Sequence, residues 1–118
     1  MDRNGIEQLI ARQADAWQRA DVDAIGADFA EDGLFISPGG RWQGPEAIMQ
    51  TAREFFVVCS EVQVEIRRIL LDSNQGAIEW VWHETRKDDG QTYTMEDAII
   101  FELRDGQIIY WREYFEPI

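Results

Sequence analysis

MEDAIIFEL (Met95–Leu103), RDG (Arg104–Gly106) and QIIYWREYF (Gln107–Phe115) read as two β-strands joined by a tight turn. Both arms are rich in Ile, Phe, Tyr and Trp, side chains that fit a pleated, half-buried surface. Two loop types suit the turn, and they bring opposite faces inward. A two-residue Asp105-Gly106 loop pairs Arg104 with Gln107, and sets Trp111 opposite Ile100 and Glu113 opposite Ala98. A three-residue loop, with Gly106 in the left-handed region, pairs Leu103 with Gln107. It sets Phe101 opposite Ile109, Ile99 opposite Trp111 and Met95 opposite Phe115. The second register gathers the larger apolar residues on one face, whereas a one-residue slip scatters them. It is the register expected.

That register puts Asp97 directly opposite Glu113, on the apolar face. Opposed side chains have Cβ atoms about 4.5–5.5 Å apart, and like charges so placed are destabilising. Two carboxylates in apolar surroundings do not both ionise at low cost, so they titrate as a coupled pair with one held protonated. An arginine bridging the pair, or a different register, would dissolve the conflict. Otherwise Asp97 and Glu113 mark a proton-transfer or polar-ligand site, and they are the candidate catalytic residues.

Composition narrows the rest. At 118 residues the chain is long enough for one domain, taken as 1–118, that buries most of its apolar surface. Its 45% hydrophobic and 12% aromatic content argues for a packed globule, and five tryptophans exceed what a minimal core needs. A net charge of −12 argues against nucleic acid, whose binding is driven by phosphate neutralisation, and against anionic membrane surfaces. One cysteine, Cys59, excludes an internal disulfide. No signal peptide or membrane-spanning run is present, so a reducing cytoplasm is the expected location.

From the N-terminus, residues 4–20 read as an amphipathic helix with Ile6, Leu9, Ile10, Gln13 and Trp17 on one face. Gln13 is the polar member of that stripe, a position that usually lies at the stripe's edge and reaches water. Asp21 caps a second helix carrying Val22, Ile25 and Phe29 inward, with Gly33 as its stop. Leu34–Ser37 is a short strand, turned by Pro38-Gly39-Gly40 into Arg41-Trp42-Gln43. Gly44-Pro45 opens a third helix with Ile48, Ala52, Phe55 and Cys59 as its buried stripe and Phe56 beside it. The strand from Glu61 to Asp72 alternates on Val62, Val64 and Ile66, then breaks at Arg67-Arg68, where a bulge leaving both arginines solvated is expected. Without the bulge, Arg68 would point inward.

Gln75–Arg86 is the next strand, with Ile78, Trp80, Trp82 and Glu84 inward and His83 outward. A two-residue Asp89-Gly90 loop would pair Trp82 with Asp97 and Glu84 with Met95, bringing Glu84 diagonally beside Asp97 as a third carboxylate. With opposite parity, His83 would face in and serve as the general base. No GxSxG, HExxH, Cys–His pairing, phosphate loop or cofactor-binding pattern occurs. A metal held by Glu84, Asp97 and Glu113 would lack the histidines of catalytic zinc sites and the loop cluster of hard-cation cages, so neither a metal nor a cofactor is expected.

Helix, helix, short hairpin, helix and three long antiparallel strands make an α+β domain. With Phe29-Ala30-Glu31-Asp32-Gly33, Gly44-Pro45-Glu46-Ala47-Ile48, and Asp105-Gly106-Gln107-Ile108 followed by Trp111-Arg112-Glu113-Tyr114-Phe115, the whole chain resembles the SnoaL-like branch of the nuclear transport factor 2-like superfamily. The resemblance implies a cone-shaped, curved mixed sheet wrapped around three helices, an apolar pocket for a small ligand, and often a homodimer. Ketosteroid isomerases, polyketide cyclases, limonene epoxide hydrolases and scytalone dehydratases share that fold with non-catalytic binding domains. The isomerases' Asp base, Tyr donor and protonated Asp fall at Ser37, Gln13 and near Ile99, so their mechanism is not expected here. The epoxide hydrolases' C-terminal catalytic Asp falls at Glu113, while their Arg and second Asp fall near Trp80 and Trp82.

Three functional expectations follow. In the first, the chain is a cofactor-independent enzyme in which Asp97 and Glu113 perform general acid/base chemistry on a small apolar or aromatic substrate, as an isomerase, cyclase, dehydratase or hydrolase. Trp17, Trp42, Trp80, Trp82 and Trp111 would stack on that substrate, and Gln13, Phe35, Ser37, Glu84, Met95, Ile99 and Phe115 would complete the lining. In the second, the same pocket only binds a hydrophobic ligand with a polar handle such as an amine or hydroxyl. In the third, the core is filled and the chain is a homodimeric interaction domain, pairing through Ile100, Tyr110 and Tyr114 on the outer sheet face.

Overall fold

A computed structural model describes residues 1–116. Its elements follow in the order α1 (Arg3–Gln18), α2 (Val22–Ala27), β1 (Phe29–Ser37), β2 (Gly40–Gln43), α3 (Pro45–Val58), β3 (Cys59–Asp72), β4 (Gln75–Arg86), β5 (Thr92–Arg104) and β6 (Gln107–Tyr114). The strands form one six-stranded sheet in the order β2-β1-β6-β5-β4-β3. Only β1 and β6 run parallel, so the sheet is mixed, and it stays open at β2 and β3. The expected α+β cone is the fold observed: a curved sheet whose inner face packs on the helices.

Register shifts at four places bend the sheet, since an extra residue on one strand raises local twist. One is the expected bulge at Arg67, between Ile66 and Arg68. It leaves Arg67 and Arg68 in solvent, paired with Glu65 and Glu79. Beyond it, Ile69 takes up the inward alternation, opposite Ile78.

The N-terminal elements correct two expectations. The stripe of α1 is as read, with Asp2 capping the helix at the Gly5 N–H. Gln13, however, is 1% exposed and does not reach water. Its amide donates to the Ile25 carbonyl at 2.9 Å and to Asp28 Oδ2 at 3.1 Å, tying α1 to the end of α2. Helix α2 ends at Ala27, and β1 begins at Phe29 rather than at Leu34. Gly33 therefore sits inside a strand and is not a helix stop. A Cβ there would lie 2.6 Å from the Ile108 carbonyl oxygen and 2.9 Å from that of Ala30, so β1 and β6 meet closely only because the residue is glycine.

Cys59 likewise leaves the helix. It is buried, but as the first residue of β3, where α3 passes into the strand without a loop. Both hairpins keep the expected parity with altered register. Arg104 pairs with Gln107, so the β5–β6 loop is the two-residue one, with Asp105 at φ 52° and Gly106 at φ 77° as a type I′ turn requires. A bulge at Ile109 then adds one residue and restores the parity of the three-residue loop. Phe101 thus faces Trp111 and Ile99 faces Glu113, while Asp97 sits diagonally from Glu113 instead of opposite it. The β4–β5 loop is also longer than Asp89-Gly90, because Thr85 pairs with Thr92 and the Arg86 N–H bonds to the Gln91 carbonyl. Trp80, not Trp82, is therefore opposite Asp97, and Glu84 is opposite Tyr93 rather than near Asp97.

Candidate active site

A cavity of about 180 Å³ opens between the inner sheet face, α1 and α3. Half of its lining residues are aromatic: Trp17 from α1, Phe35 from β1, Trp42 from β2, Phe55 from α3, Trp82 from β4, and Phe115 just past β6. Ser37, Thr51, Glu84, Met95, Asp97 and Glu113 complete it. Thr51 and Phe55 were not among the residues expected there. Their signal was the i, i+4 spacing, which puts both on one face of α3. Four expected lining residues, Gln13, Trp80, Ile99 and Trp111, are fully buried outside this wall.

Asp97 and Glu113 share one end of the cavity. Asp97 is 4% exposed, and its Oδ2 accepts the indole N–H of Trp80 at 3.2 Å. Its Oδ1 has no hydrogen-bond partner while both carboxyls are ionised. Glu113 Oε2 accepts the indole N–H of Trp111 at 3.0 Å. Burial holds Glu113 well above the usual carboxylate range, and the Asp97 charge and a hydrogen bond between the two carboxyls push the same way, against the Trp111 indole. Glu113 is half-buried as a residue, so the burial that matters is that of its carboxyl end, between Trp111 and Asp97. Burial raises Asp97 too, opposed by hydrogen bonds from Glu113, the Trp80 indole and the Tyr114 backbone. Both carboxyls are thus held above the ordinary range and titrate as a coupled pair, so the two charges do not form together at low cost.

Glu84 lies apart from this pair and is already committed. Its carboxylate accepts the Trp82 indole at 2.9 Å and Arg86 Nε at 3.1 Å, and the Cys59 thiol lies 3.6 Å from Oε2. Burial, reinforced by the Glu84 charge, pushes the Cys59 thiol up to about 11, so it is a protonated donor and no nucleophile. Arg86 in turn stacks on Tyr93, 4.2 Å from the ring centroid. Two of the three indole–carboxyl pairs, Trp82–Glu84 and Trp111–Glu113, join residues two apart on one strand. The repeated Trp-x-Glu spacing sets both side chains of each pair on one face, a signal legible in the sequence itself.

His83 faces the outer side of the sheet, bonded to Thr94 at 2.9 Å and 3.5 Å from Glu65. It is not available to the cavity. Ser37 Oγ lines the cavity while accepting the Gly39 N–H at 3.2 Å. Among the described residues no group of three or more His, Cys, Asp or Glu is placed to hold a metal ion. No helix among them is long and apolar enough to cross a membrane.

Comparison with curated proteins finds no match. Solved structures match throughout the chain. A protein with a ketosteroid isomerase-like fold from Catenulispora acidiphila, in complex with trimethylamine, superposes with a TM-score of 0.87 at 22% identity, covering 92% of this chain and 85% of that one. TerC, co-crystallised with polyporic acid, gives 0.83 at 17% identity over 95% and 91% of the two chains. A candidate polyketide cyclase from Xanthomonas campestris pv. campestris gives 0.80 at 25% identity over 97% and 92%. The sequence profile of the SnoaL-like domain matches residues 10–111, from the middle of α1 to Trp111 within β6. With that match over most of its length and the same curved sheet around three helices, the chain belongs to the SnoaL-like domain family, on the nuclear transport factor 2-like fold.

Proposed function

We propose that the cavity is an active site in which Asp97 is the general base and Glu113 the general acid, working without a cofactor on a small apolar or aromatic substrate. The observation that carries this is the pair of carboxyls, buried at their reactive ends and coupled to each other, in the wall of an aromatic cavity. Two coupled carboxyls that resist ionising together can divide the acid and base roles between them. Asp97 takes a proton from the bound substrate and Glu113 returns one to a second position, a net shift suited to isomerisation, cyclisation or dehydration. The volume of about 180 Å³ suits a substrate of one ring or a few carbons, since a dry cavity of roughly 150 Å³ accommodates benzene. The cytoplasm is its proposed location. Carboxyl NMR signals of Asp97 and Glu113 followed across pH test the pairing: one is expected to titrate well above the ordinary range. Two ordinary, independent titrations would rule out the acid–base assignment.

A second reading, binding without turnover, is favoured by the neighbour whose structure is a complex with trimethylamine. Isolation of the chain with a small molecule that is released unchanged would support it.

The outer sheet face is proposed to pair two copies of the chain. Ile100 is 44% exposed and Tyr114 48% exposed, with Tyr110 half-buried and Arg112 lying 5.0 Å from the Tyr114 ring centroid. Tyr114→Asp is expected to convert a dimer to monomers in light scattering. A dimer that survives the change, or a wild-type monomer, would remove this face from consideration.

A further inference from the structure

Three carboxylates line the cavity, and no lysine, arginine or histidine does. Glu84 has its counter-ion in Arg86. Asp97 and Glu113 enter no ion pair among the described residues. Asp97 Oδ1 is buried and without a donor. Charge on this pair therefore has no cationic side chain in the cavity to balance it. Aromatic rings share the cavity lining with the two carboxyls, packed on one another: Trp17 and Trp82 with centroids 5.5 Å apart, Trp17 and Phe55 at 5.8 Å, Phe35 and Trp42 at 5.7 Å. Ring faces are electron-rich and attract cations, most strongly where water is displaced.

We propose that the ligand of this cavity is a protonated amine with a compact apolar skeleton, its N–H donated to Asp97 Oδ1 and its alkyl groups packed among the rings. The proposal rests on the reading above that the cavity is a ligand site, and names the substrate class. Each alternative fails on one count. A neutral molecule leaves the charge unbalanced, and a quaternary ammonium has no hydrogen for Oδ1. An anion would meet both the carboxyl pair and a chain of net charge −12.

Four probes separate these possibilities at pH 7: tert-butylammonium, tert-butanol, tetramethylammonium and toluene. The first three are similar in size and differ in charge and in N–H or O–H donors. Titrations followed through the tryptophan indole N–H signals are expected to show tert-butylammonium binding at least tenfold tighter than tert-butanol or tetramethylammonium, with the Trp80 indole moving. Asp97→Asn should abolish that preference and keep toluene binding. Equal or tighter binding of tert-butanol overturns the amine assignment, and so does equal binding of tetramethylammonium. Toluene binding without tert-butylammonium leaves the cavity a ligand site and removes the cation. Failure of all four at 100-fold excess over protein overturns both.

Discussion

Asp97→Asn and Glu113→Gln are each expected to give a folded chain whose kcat/KM, on any substrate the wild type turns over, falls by roughly 10²–10⁴-fold, the usual worth of a positioned acid or base. Both changes keep the shape of the side chain and an oxygen for the indole of Trp80 or Trp111. What they remove is the shared proton. Asparagine cannot take a proton at neutral pH, and glutamine cannot release one and recover it. Because each group matters only through the other, the double variant should be little worse than the worse single one, as expected for residues that act as a unit. Losses that multiply in the double variant would mean two separate roles. Full activity in both single variants would remove the pair from the chemistry altogether.

The Glu113→Gln chain also reports on stability. Folding raises the Glu113 carboxyl well above its ordinary value, chiefly through burial. A raised acid binds its proton more tightly when folded, so its contribution is full at pH values below the ordinary carboxylate range. It is lost as pH rises through the raised folded value, at about 1.4 kcal/mol for each unit between the two. Glutamine has no proton to lose. Melting curves are therefore expected to favour Glu113→Gln increasingly as pH climbs, and a gap that stays constant between pH 5 and pH 9 would contradict the buried, protonated Glu113.

Why the faces were legible and the register was not is a matter of period against loop length. Alternation along Ile78-Trp80-Trp82-Glu84 and Asp97-Ile99-Phe101 specifies which side chains turn inward, because a one-residue slip exposes the whole set. Loop length shifts pairing by whole residues. In the β5–β6 hairpin, two local choices compensated: a two-residue turn plus the Ile109 bulge gives the parity of a three-residue loop. In the β4–β5 hairpin the longer loop moved the pairing by two, which preserves parity and swaps Trp80 for Trp82 opposite Asp97. Depth was illegible for another reason. Trp80 and Trp82 share a face, yet the curved sheet buries the first and leaves the second on the cavity wall. Gln13 has the same history: its spacing placed it on the apolar stripe, but only the close approach of the α2 end supplies the carbonyl of Ile25 and the carboxylate of Asp28 that occupy it.

Trp80→Ala is expected to destabilise the fold by about 3–5 kcal/mol, in the range for deleting a large buried aromatic. For a domain of this size that is a fall of roughly 10–20 °C in Tm. Trp80 is 1% exposed, between Ile66 on β3 and Asp97 on β5, with the rings of Trp111 and Trp82 at 5.8 and 6.4 Å. Its removal empties space that three strands cannot collapse into without breaking their pairing. It also strips Asp97 Oδ2 of the Trp80 indole donor, in a buried side chain whose Oδ1 has no hydrogen-bond partner among the described residues. Trp80→Phe separates the two effects, since the ring stays and the N–H goes. It should cost about 1–3 kcal/mol, the usual penalty for orphaning a buried polar group, and it should raise Asp97 further because a hydrogen bond that favours the charged form is gone. Urea unfolding of both variants checks the ordering. If Trp80→Phe is neutral, the indole is packing alone and the Asp97 charge is held by other groups; if Trp80→Ala costs less than 1 kcal/mol, the floor beneath the carboxyl pair is not the rigid one these contacts describe.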